Sequence, residues 1–403
     1  MPALPAPGAG MGVVAAIVGL ALLILIHEAG HFFAARAVGM TPRKFYLGFG
    51  PPLVKVTRGK VEYGVGSLPL GGYVKIPGMS RPSAGDLKAT LPSEVREAHR
   101  TELARLDAAI VRGDYVEAQS ELAALRPLVG ESRYVQELAW SLEPDAYWRQ
   151  ATWRRLVAIG AGPGINLVFA FVLFAALFMI STTRSTNLVA RVQGGSPAAA
   201  AGLQPGDRIL SVAGARVKPD DIARSIRSTE GRPFRLVVRR HGRRVAIGPT
   251  QAKVSDGVYR IGIAIEGRNG PGESLPAAAR DSLSLSWAVT ADTARGLAHI
   301  VTGRDTNHVS SSVGIVKAQS EAWRQGLRDF LSVLGLISLA LALMNLIPVL
   351  PLDGGHIVLA LVEKLRGRTF AQSVYIRYSV VGLTLFAVLM YFGLRNDLFG
   401  SGG

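Results

Sequence analysis

One stretch constrains this chain more than any other, because it has no place in water. Gly12 to Ile26 reads GVVAAIVGLALLILI, without a charged or polar side chain, and His27-Glu28-Ala29-Gly30-His31 follows with no turn residue between. A single helix carrying both parts is the simplest fold, and the run approaches the ~20 residues that cross a hydrocarbon core. On such a helix His27 and His31 are four residues apart and project from one face. Two imidazoles at that spacing can reach one metal ion, with Glu28 placed to take a proton from metal-bound water, which is the zinc reading of HExxH. The ordinary alternative is a helix end with two interfacial histidines. Ionisable groups at membrane depth are costly and rarely idle, which favours the metal.

Three more apolar runs have similar length: about Leu156 to Ile180, Phe330 to Ile347 and Val374 to Leu394. The expected class is a polytopic α-helical membrane protein with about four transmembrane helices. The formal charge of +16 suggests nucleic acid at first, but the basic residues are dispersed, many flank apolar spans, and no basic recognition motif is present. They are read as facing the lipid bilayer and fixing orientation. There is no cysteine, which excludes a cysteine zinc site and any disulfide framework. Met1 to Gly10 holds no Lys or Arg, so Gly12 to about Ala35 reads as a retained span rather than a secretory signal.

Arg36, Arg43 and Lys44 follow the first span, Arg149, Arg154 and Arg155 precede the second, and Lys364, Arg366 and Arg368 join the third to the fourth. All three clusters fall on one side if the N-terminus is outside, which makes that side cytoplasmic. The expectation is a multi-pass protein of the cell's inner or plasma membrane. Both termini and the segment from Ser181 to about Arg328 are then extracytoplasmic.

The chain divides on these grounds into six parts. Residues 1–80 hold the first span, HEAGH and a Gly-rich, β-branched stretch. In that stretch Leu53 to Thr57 and Val61 to Val65 flank Arg58-Gly59-Lys60 as a β-hairpin. The hairpin is either an ordinary cytoplasmic one or a membrane-associated sheet beside the metal, where irregular backbone must be buried or line a cavity. Residues 81–147 hold twelve acidic and eight basic residues. Helical periodicity over Glu94 to Val111 and Tyr115 to Leu125, broken at Gly113-Asp114, predicts an antiparallel pair in a cytoplasmic helical insertion. One such pair cannot bury its apolar face well. Residues 148–182 are the second span and 183–268 a β-rich domain. Residues 269–328 form an amphipathic connector whose His299 and His308 read as surface histidines, and 329–403 hold the last two spans.

A catalytic zinc site commonly uses three protein ligands and a water, so a third ligand must come from elsewhere. Asp353 is the candidate. It lies in MNLIPVLPLDGGH, where Pro348 and Pro351 break helical hydrogen bonding and Gly354-Gly355 allow close backbone approach. An acid at that depth is a functional candidate, and a turn Asp at the membrane surface is the alternative. His356 lies beyond the two glycines and reads as supporting rather than ligating. Water must also reach the metal, through a polar cavity that Asn166 and Asn345 could line.

These motifs carry two resemblances. SPAAAAGLQPGDRILSVAG resembles PDZ domains of the permuted bacterial type, which bind an extended peptide by adding it to a sheet edge. The resemblance implies one extracytoplasmic PDZ domain with Ile261-Gly262-Ile263 as its carboxylate-binding loop, able to take a peptide or C-terminal carboxylate. A purely steric cap is the other reading. HEAGH, GPGIN, this domain and NLIPVLPLDGGH together are similar to the site-2 protease family of intramembrane zinc metalloproteases, in its bacterial branch that cleaves anti-sigma factors.

The resemblance covers nearly the whole chain apart from the insertion. It implies Zn2+ held by His27, His31 and Asp353, Glu28 as catalytic acid/base, and Asn166 and Asn345 near substrate. The expected partner is a single-pass, membrane-embedded protein cut in regulated intramembrane proteolysis after an earlier trimming. The alternative is a non-catalytic PDZ-bearing membrane scaffold with a structural metal. Two features depart from the family pattern. Proline falls at Pro351 rather than at the position of Leu350, and Ser311-Ser312-Val313-Gly314-Ile315 stands where many members have Gly-Pro before Val-Gly-Ile.

Overall fold

Helix α1 (Ala9–Ala37) runs unbroken through the apolar stretch and HEAGH, as the missing turn residue requires. The computed structural model describes residues 9–255, 258–301 and 312–399. It separates into two units, Met1–Ala175 with Ala279–Gly403, and Ala176–Ala278. His308 and Ser311 lie outside the described residues.

After α1 come β1 (Lys44–Arg58) and β2 (Val61–Lys75), which turn at Gly59-Lys60 where the hairpin was expected. The predicted arms pair, with Val54 opposite Val65 and Thr57 opposite Glu62, but both strands are three times longer than read. Each bends, so Phe45 lies beside both Tyr63 and Val74. The segments line up in the order 54–58, 61–65, 44–47 and 72–75. No further strand covers the outer edge of 72–75 among the described residues.

The insertion folds as five helices: α2 (Ala84–Thr90), α3 (Ser93–Ala98), α4 (Arg100–Arg112), α5 (Tyr115–Val129) and α6 (Arg133–Leu142). Gly113, at φ 79°, ends α4, and the Asp114 carboxylate accepts from the Glu117 N–H to start α5. The antiparallel pair is therefore present. His99 interrupts its first arm, splitting Glu94 to Val111 into α3 and α4. The apolar face that a lone pair would leave bare is covered by α2 and α6, with Leu87 and Leu138 packing on Leu103, Leu106, Leu122 and Leu125. Ion pairs pin this small core to the sheet: Arg43 to Glu143 and Asp145 at 2.9 and 3.0 Å, and Lys75 to Glu137 at 2.9 Å.

Helix α7 (Thr152–Ile180) leads into the second unit. There β3 (Ser181–Val192), α8 (Pro197–Ala200), β4 (Arg208–Val212), β5 (Ala215–Arg216), α9 (Ile222–Arg227), β6 (Phe234–Arg240) and β7 (Arg243–Thr250) are followed by β8 (Lys253–Ser255), β9 (Val258–Arg260) and β10 (Ile263–Pro271). The main sheet has the order β10-β3-β4-β6-β7 with β5 beside β4, and β8 pairs with β9. The core includes Val189, Leu203, Ile209, Leu236, Val238 and Ile261. Strands β9 and β10 are separated at Gly262, whose φ of 77° breaks extended backbone and suits glycine.

Asp207 is buried in this unit. Burial alone raises its pKa, but the Arg240 guanidinium at 2.7 and 2.6 Å and the Gln204 N–H at 2.9 Å hold the carboxyl below its usual value. A carboxylate depressed on folding stabilises fully above its unfolded pKa of about 3.9, and that stability is lost as pH falls through the lower folded value. Asp207→Asn is expected to destabilise the unit at neutral pH by about 3 kcal/mol, because Arg240 loses its partner. The loss should shrink in acid. Amide exchange of β4 and β6 against pH checks both, and a variant with the native acid profile would remove Asp207 from that role.

The first unit resumes with α10 (Leu275–Val301), α11 (Ser312–Gln325), α12 (Leu327–Asn345), α13 (Asp353–Arg366) and α14 (Gln372–Phe399). Among the described residues, three helices are long and apolar enough to cross a membrane: Gly10–Ala37, Thr152–Ile180 and Leu327–Asn345. The fourth expected span, about Val374 to Leu394, falls within α14, which is not among these three. Helices α11 and α12 pack on α1, where Gly19 faces Gln319, Phe330 and Leu334. Gly335 of α12 lies against the Phe174 ring of α7.

Candidate metal centre

The two histidines of HEAGH lie one helical turn apart on α1, edge to face with ring centroids 4.9 Å apart. Asp353 reaches them from the first residue of α13. His27 Nε2 and His31 Nε2 stand 3.3 Å apart, and Asp353 Oδ2 is 3.2 Å from the first and 3.3 Å from the second. The three atoms form a nearly equilateral triangle. A tetrahedral ion bonded at about 2.0–2.1 Å places its donors roughly 3.3–3.4 Å apart, so the triangle has the size of one face of a zinc tetrahedron. Asp353 Oδ2 is also buried without a hydrogen bond, a costly state for a carboxylate unless a cation takes up its lone pair. The residues present therefore fit a metal.

Helix α7 sets the orientation of both imidazoles. His31 Nδ1 lies 2.9 Å from the Ala158 carbonyl, which can only accept. The proton is therefore on Nδ1, and the Nε2 lone pair is free for the metal. His27 Nδ1 lies 3.4 Å from the Asn166 side-chain amide, whose Oδ1 is buried without a partner. The two ends of an amide have the same shape, and the orientation with Oδ1 toward Nδ1–H gives Oδ1 the partner it otherwise lacks. It also leaves the His27 Nε2 lone pair facing the triangle.

The helices approach closely because the contact residues are small. A Cβ on Gly30 would stand 2.6 Å from the Ala161 carbonyl oxygen, and one on Gly162 would stand 2.2 Å from His31 Nε2. At α13, a Cβ on Gly354 or Gly355 would fall 2.3–2.5 Å from backbone atoms of Leu346, Ile347 and Leu350. The two glycines let the 346–352 loop fold back on the helix start. Proline at position 351 in place of 350 leaves Asp353 within reach of both histidines.

Glu28 is not one of the three converging donors. It projects toward β2, hydrogen-bonded to the Val74 backbone, and a Cβ on Gly72 would come 3.0 Å from its Cγ. The 72–75 edge, which no further strand pairs among the described residues, thus passes beside a carboxylate that borders the triangle without joining it.

The other expected site residues fall elsewhere. Asn166 is fully buried behind His27 rather than lining an open cavity, and its backbone carbonyl accepts from Ser338 Oγ at 2.9 Å. Asn345 ends α12 and turns its amide back to the Leu341 carbonyl at 2.9 Å. Ile261, Gly262 and Ile263 belong to the second unit. His356 does not join the triangle, and its ring lies 6.1 Å from that of Tyr375.

The model of Peptidase family M50 matches residues 15–389. This chain belongs to peptidase family M50. It is similar over 95% of its length to a protein of Agrobacterium fabrum provisionally named a zinc metalloprotease, at 28% identity and covering 94% of that protein. A protein of Enterococcus faecalis provisionally named the protease eep is 26% identical over 95% of this chain and 97% of its own. A Brucella suis protein, also provisionally named a zinc metalloprotease, is 28% identical over 94% of this chain and 93% of its own. The M50 match spans both halves of the triangle, from HEAGH on α1 to Asp353 on α13. The chain is a membrane-embedded metalloprotease.

Proposed function

We propose that this M50 protease binds zinc through His27, His31 and Asp353. It hydrolyses a peptide bond in or near the transmembrane segment of a single-pass membrane protein, in regulated intramembrane proteolysis. The observation that carries the reading is the triangle: three lone pairs converge at zinc spacing from helices far apart in sequence, with a separate carboxylate beside them. A structural zinc more often has four closed protein ligands, so a three-donor site with a free Glu28 favours the enzyme over the scaffold. When bound, zinc supplies a water whose pKa falls toward about 7 and polarises the scissile carbonyl.

The chain's own residues supply the rest. Glu28 accepts a proton from the attacking water and returns it to the leaving nitrogen. The Ala158 carbonyl and the Asn166 side chain hold the imidazoles in the ligating tautomer. A helical substrate must expose its carbonyls before it can be cut. The uncovered 72–75 edge offers backbone groups that can pair with the unwound segment as an added strand.

The remaining features fit a site of this kind in a polarised membrane. In this reading α14 is a fourth span, the termini and the second unit are outside and the insertion is inside, with the basic flanks of the spans as the support. The second unit is read as a PDZ domain that tests the ectodomain of a substrate, with Ile261-Gly262-Ile263 as its carboxylate loop. The substrate class is an anti-sigma-factor-like regulator trimmed by an earlier cut.

The test is cleavage of a single-span substrate, with and without its ectodomain, by protein reconstituted in lipid with its zinc content measured. The native chain is expected to hold zinc and cut only the trimmed form, and Asp353→Ala to lose both zinc and cleavage. Removal of residues 187–266 should let the untrimmed form be cut. Native cleavage by Asp353→Ala would end the metal reading, and unchanged discrimination after the deletion would end the filter.

A further inference from the structure

Asp353 arrives at the triangle on α13, yet it is the first residue of that helix, and no side chain caps the helix start. Its position depends on how α13 is held along its length. Near its other end, Glu363 forms an ion pair with Arg155 of α7, and both side chains are buried. The carboxylate is fully engaged, whereas Arg155 Nε is buried without a hydrogen-bond partner. Glu363 Oε1 accepts from the Phe370 N–H at 2.6 Å and the Tyr375 hydroxyl at 3.2 Å, and Oε2 takes the Arg155 guanidinium. That guanidinium lies over the Tyr147 ring at 4.8 Å. Ile357 adds an apolar contact from α13, packing against the cluster that includes Ala158, Ile159 and Tyr147.

The same helix holds the other two donors. Arg155, Ala158, Gly162 and Asn166 recur at intervals of three, four and four, which places them in one stripe along α7. From one end, that stripe grips α13 through Glu363, receives His31 Nδ1 at the Ala158 carbonyl, clears His31 at Gly162 and meets His27 at Asn166.

We propose that the buried Arg155–Glu363 pair is a positioning element that fixes the register of α13 on α7 and so sets Asp353 opposite the two histidines. The proposal rests on the metal reading of the triangle. Glu363 is ten residues beyond Asp353, about 15 Å along the helix, so the pair acts through the rigid helix and not by contact with the site. An apolar pair of similar volume is often as stable as a buried ion pair. Apolar faces can slide or rotate by small steps, whereas a buried guanidinium meets its one carboxylate in a single register, and the Phe370 and Tyr375 hydrogen bonds hold that carboxylate in place. Specification of register is the best-attested use of such buried polar groups.

The test compares the native chain with Arg155→Met/Glu363→Leu, which removes the pair without leaving a buried charge, and with Glu363→Gln, which keeps the acceptor for Phe370 and Tyr375 but not the charge. Each is reconstituted in lipid. Thermal unfolding, zinc affinity by chelator competition, and kcat and KM on a trimmed substrate are measured. Because the chain has no cysteine, the approach of α13 to α1 can also be read without metal, by the rate at which a short bis-thiosulfonate bridges His31→Cys and Asp353→Cys in each background.

The double variant is expected to unfold within a few degrees of the native chain. Its zinc affinity should be weaker by about tenfold, the lower end of what losing a direct hydrogen-bond partner of a ligand costs, because the pair acts at a distance. Its kcat should fall with KM unchanged, bridging should slow about tenfold, and Glu363→Gln should fall between the two. Native zinc affinity and native bridging in a folded double variant would overturn the proposal. If the double variant does not fold, native values in Glu363→Gln would do the same. A native chain that binds no zinc counts against the metal reading, and the bridging rates still decide the positioning role.

Discussion

Glu28→Gln is expected to abolish peptide cleavage while the protein keeps its zinc. Glu28 follows His27 directly on α1, so its side chain leaves the helix about 100° away from the ligand face. It contributes no atom to the triangle of His27, His31 and Asp353. Glutamine has the same shape and can keep the hydrogen bond to the Val74 backbone, so neither the helix nor the sheet has reason to move. What it cannot do is accept a proton. A positioned general base contributes about 10²–10⁴-fold, and here the same group must also protonate the leaving nitrogen. The expected loss is therefore at least about 10³-fold in kcat, read on a trimmed single-span substrate in lipid, with zinc affinity within about twofold of native. Cleavage at the native rate would remove Glu28 from the chemistry. Loss of zinc would show instead that Glu28 supports the ligands.

The ligands were legible because side-chain chemistry announces them. HEAGH reads as two donors and a base on one helix, and an acid beside Gly354-Gly355 in a broken apolar span reads as the third. Most of what aims those donors was not legible. The Ala158 carbonyl that fixes His31 is backbone, and every residue offers one. Gly162 is the first residue of GPGIN, and nothing local says that its lack of a Cβ is what leaves room for a ring from another helix. Asn166 was read as polar lining, whereas its burial behind His27 follows from a helix crossing that no local pattern encodes. The hairpin was read short for a related reason. Strand propensity fades where Gly48, Gly50, Gly66, Gly71 and Gly72 occur, yet both strands continue through these glycines as they bend. In the insertion, periodicity found the pair α4 and α5. Helices α2 and α6 are short, and only the shared core shows that they complete it.

Gly162→Ala is the sharper probe of that hidden support, because it adds a single methyl group and no charge. In the interior of a helix this change normally stabilises by about 0.5–1 kcal/mol, since alanine gives up less backbone entropy. Here the new Cβ would stand 2.2 Å from His31 Nε2, 2.6 Å from Cε1 and 2.7 Å from Cδ2. Separation of the two helices is opposed by their packing, with Gly30 already against the Ala161 carbonyl and Ile165. The ring is the part free to yield, and in yielding it leaves the Ala158 carbonyl and takes Nε2 out of the triangle. Zinc affinity is expected to fall by at least about 10²-fold, the scale on which an outer-shell support alone can act, and cleavage should fall with it. Gly160→Ala, one turn face away on the same helix with nothing within 4 Å of its added methyl, is the matched control and should bind zinc as the native chain does. If Gly162→Ala holds zinc as tightly as Gly160→Ala, the imidazole has room that this packing denies it, and α7 does not set the geometry of the metal site.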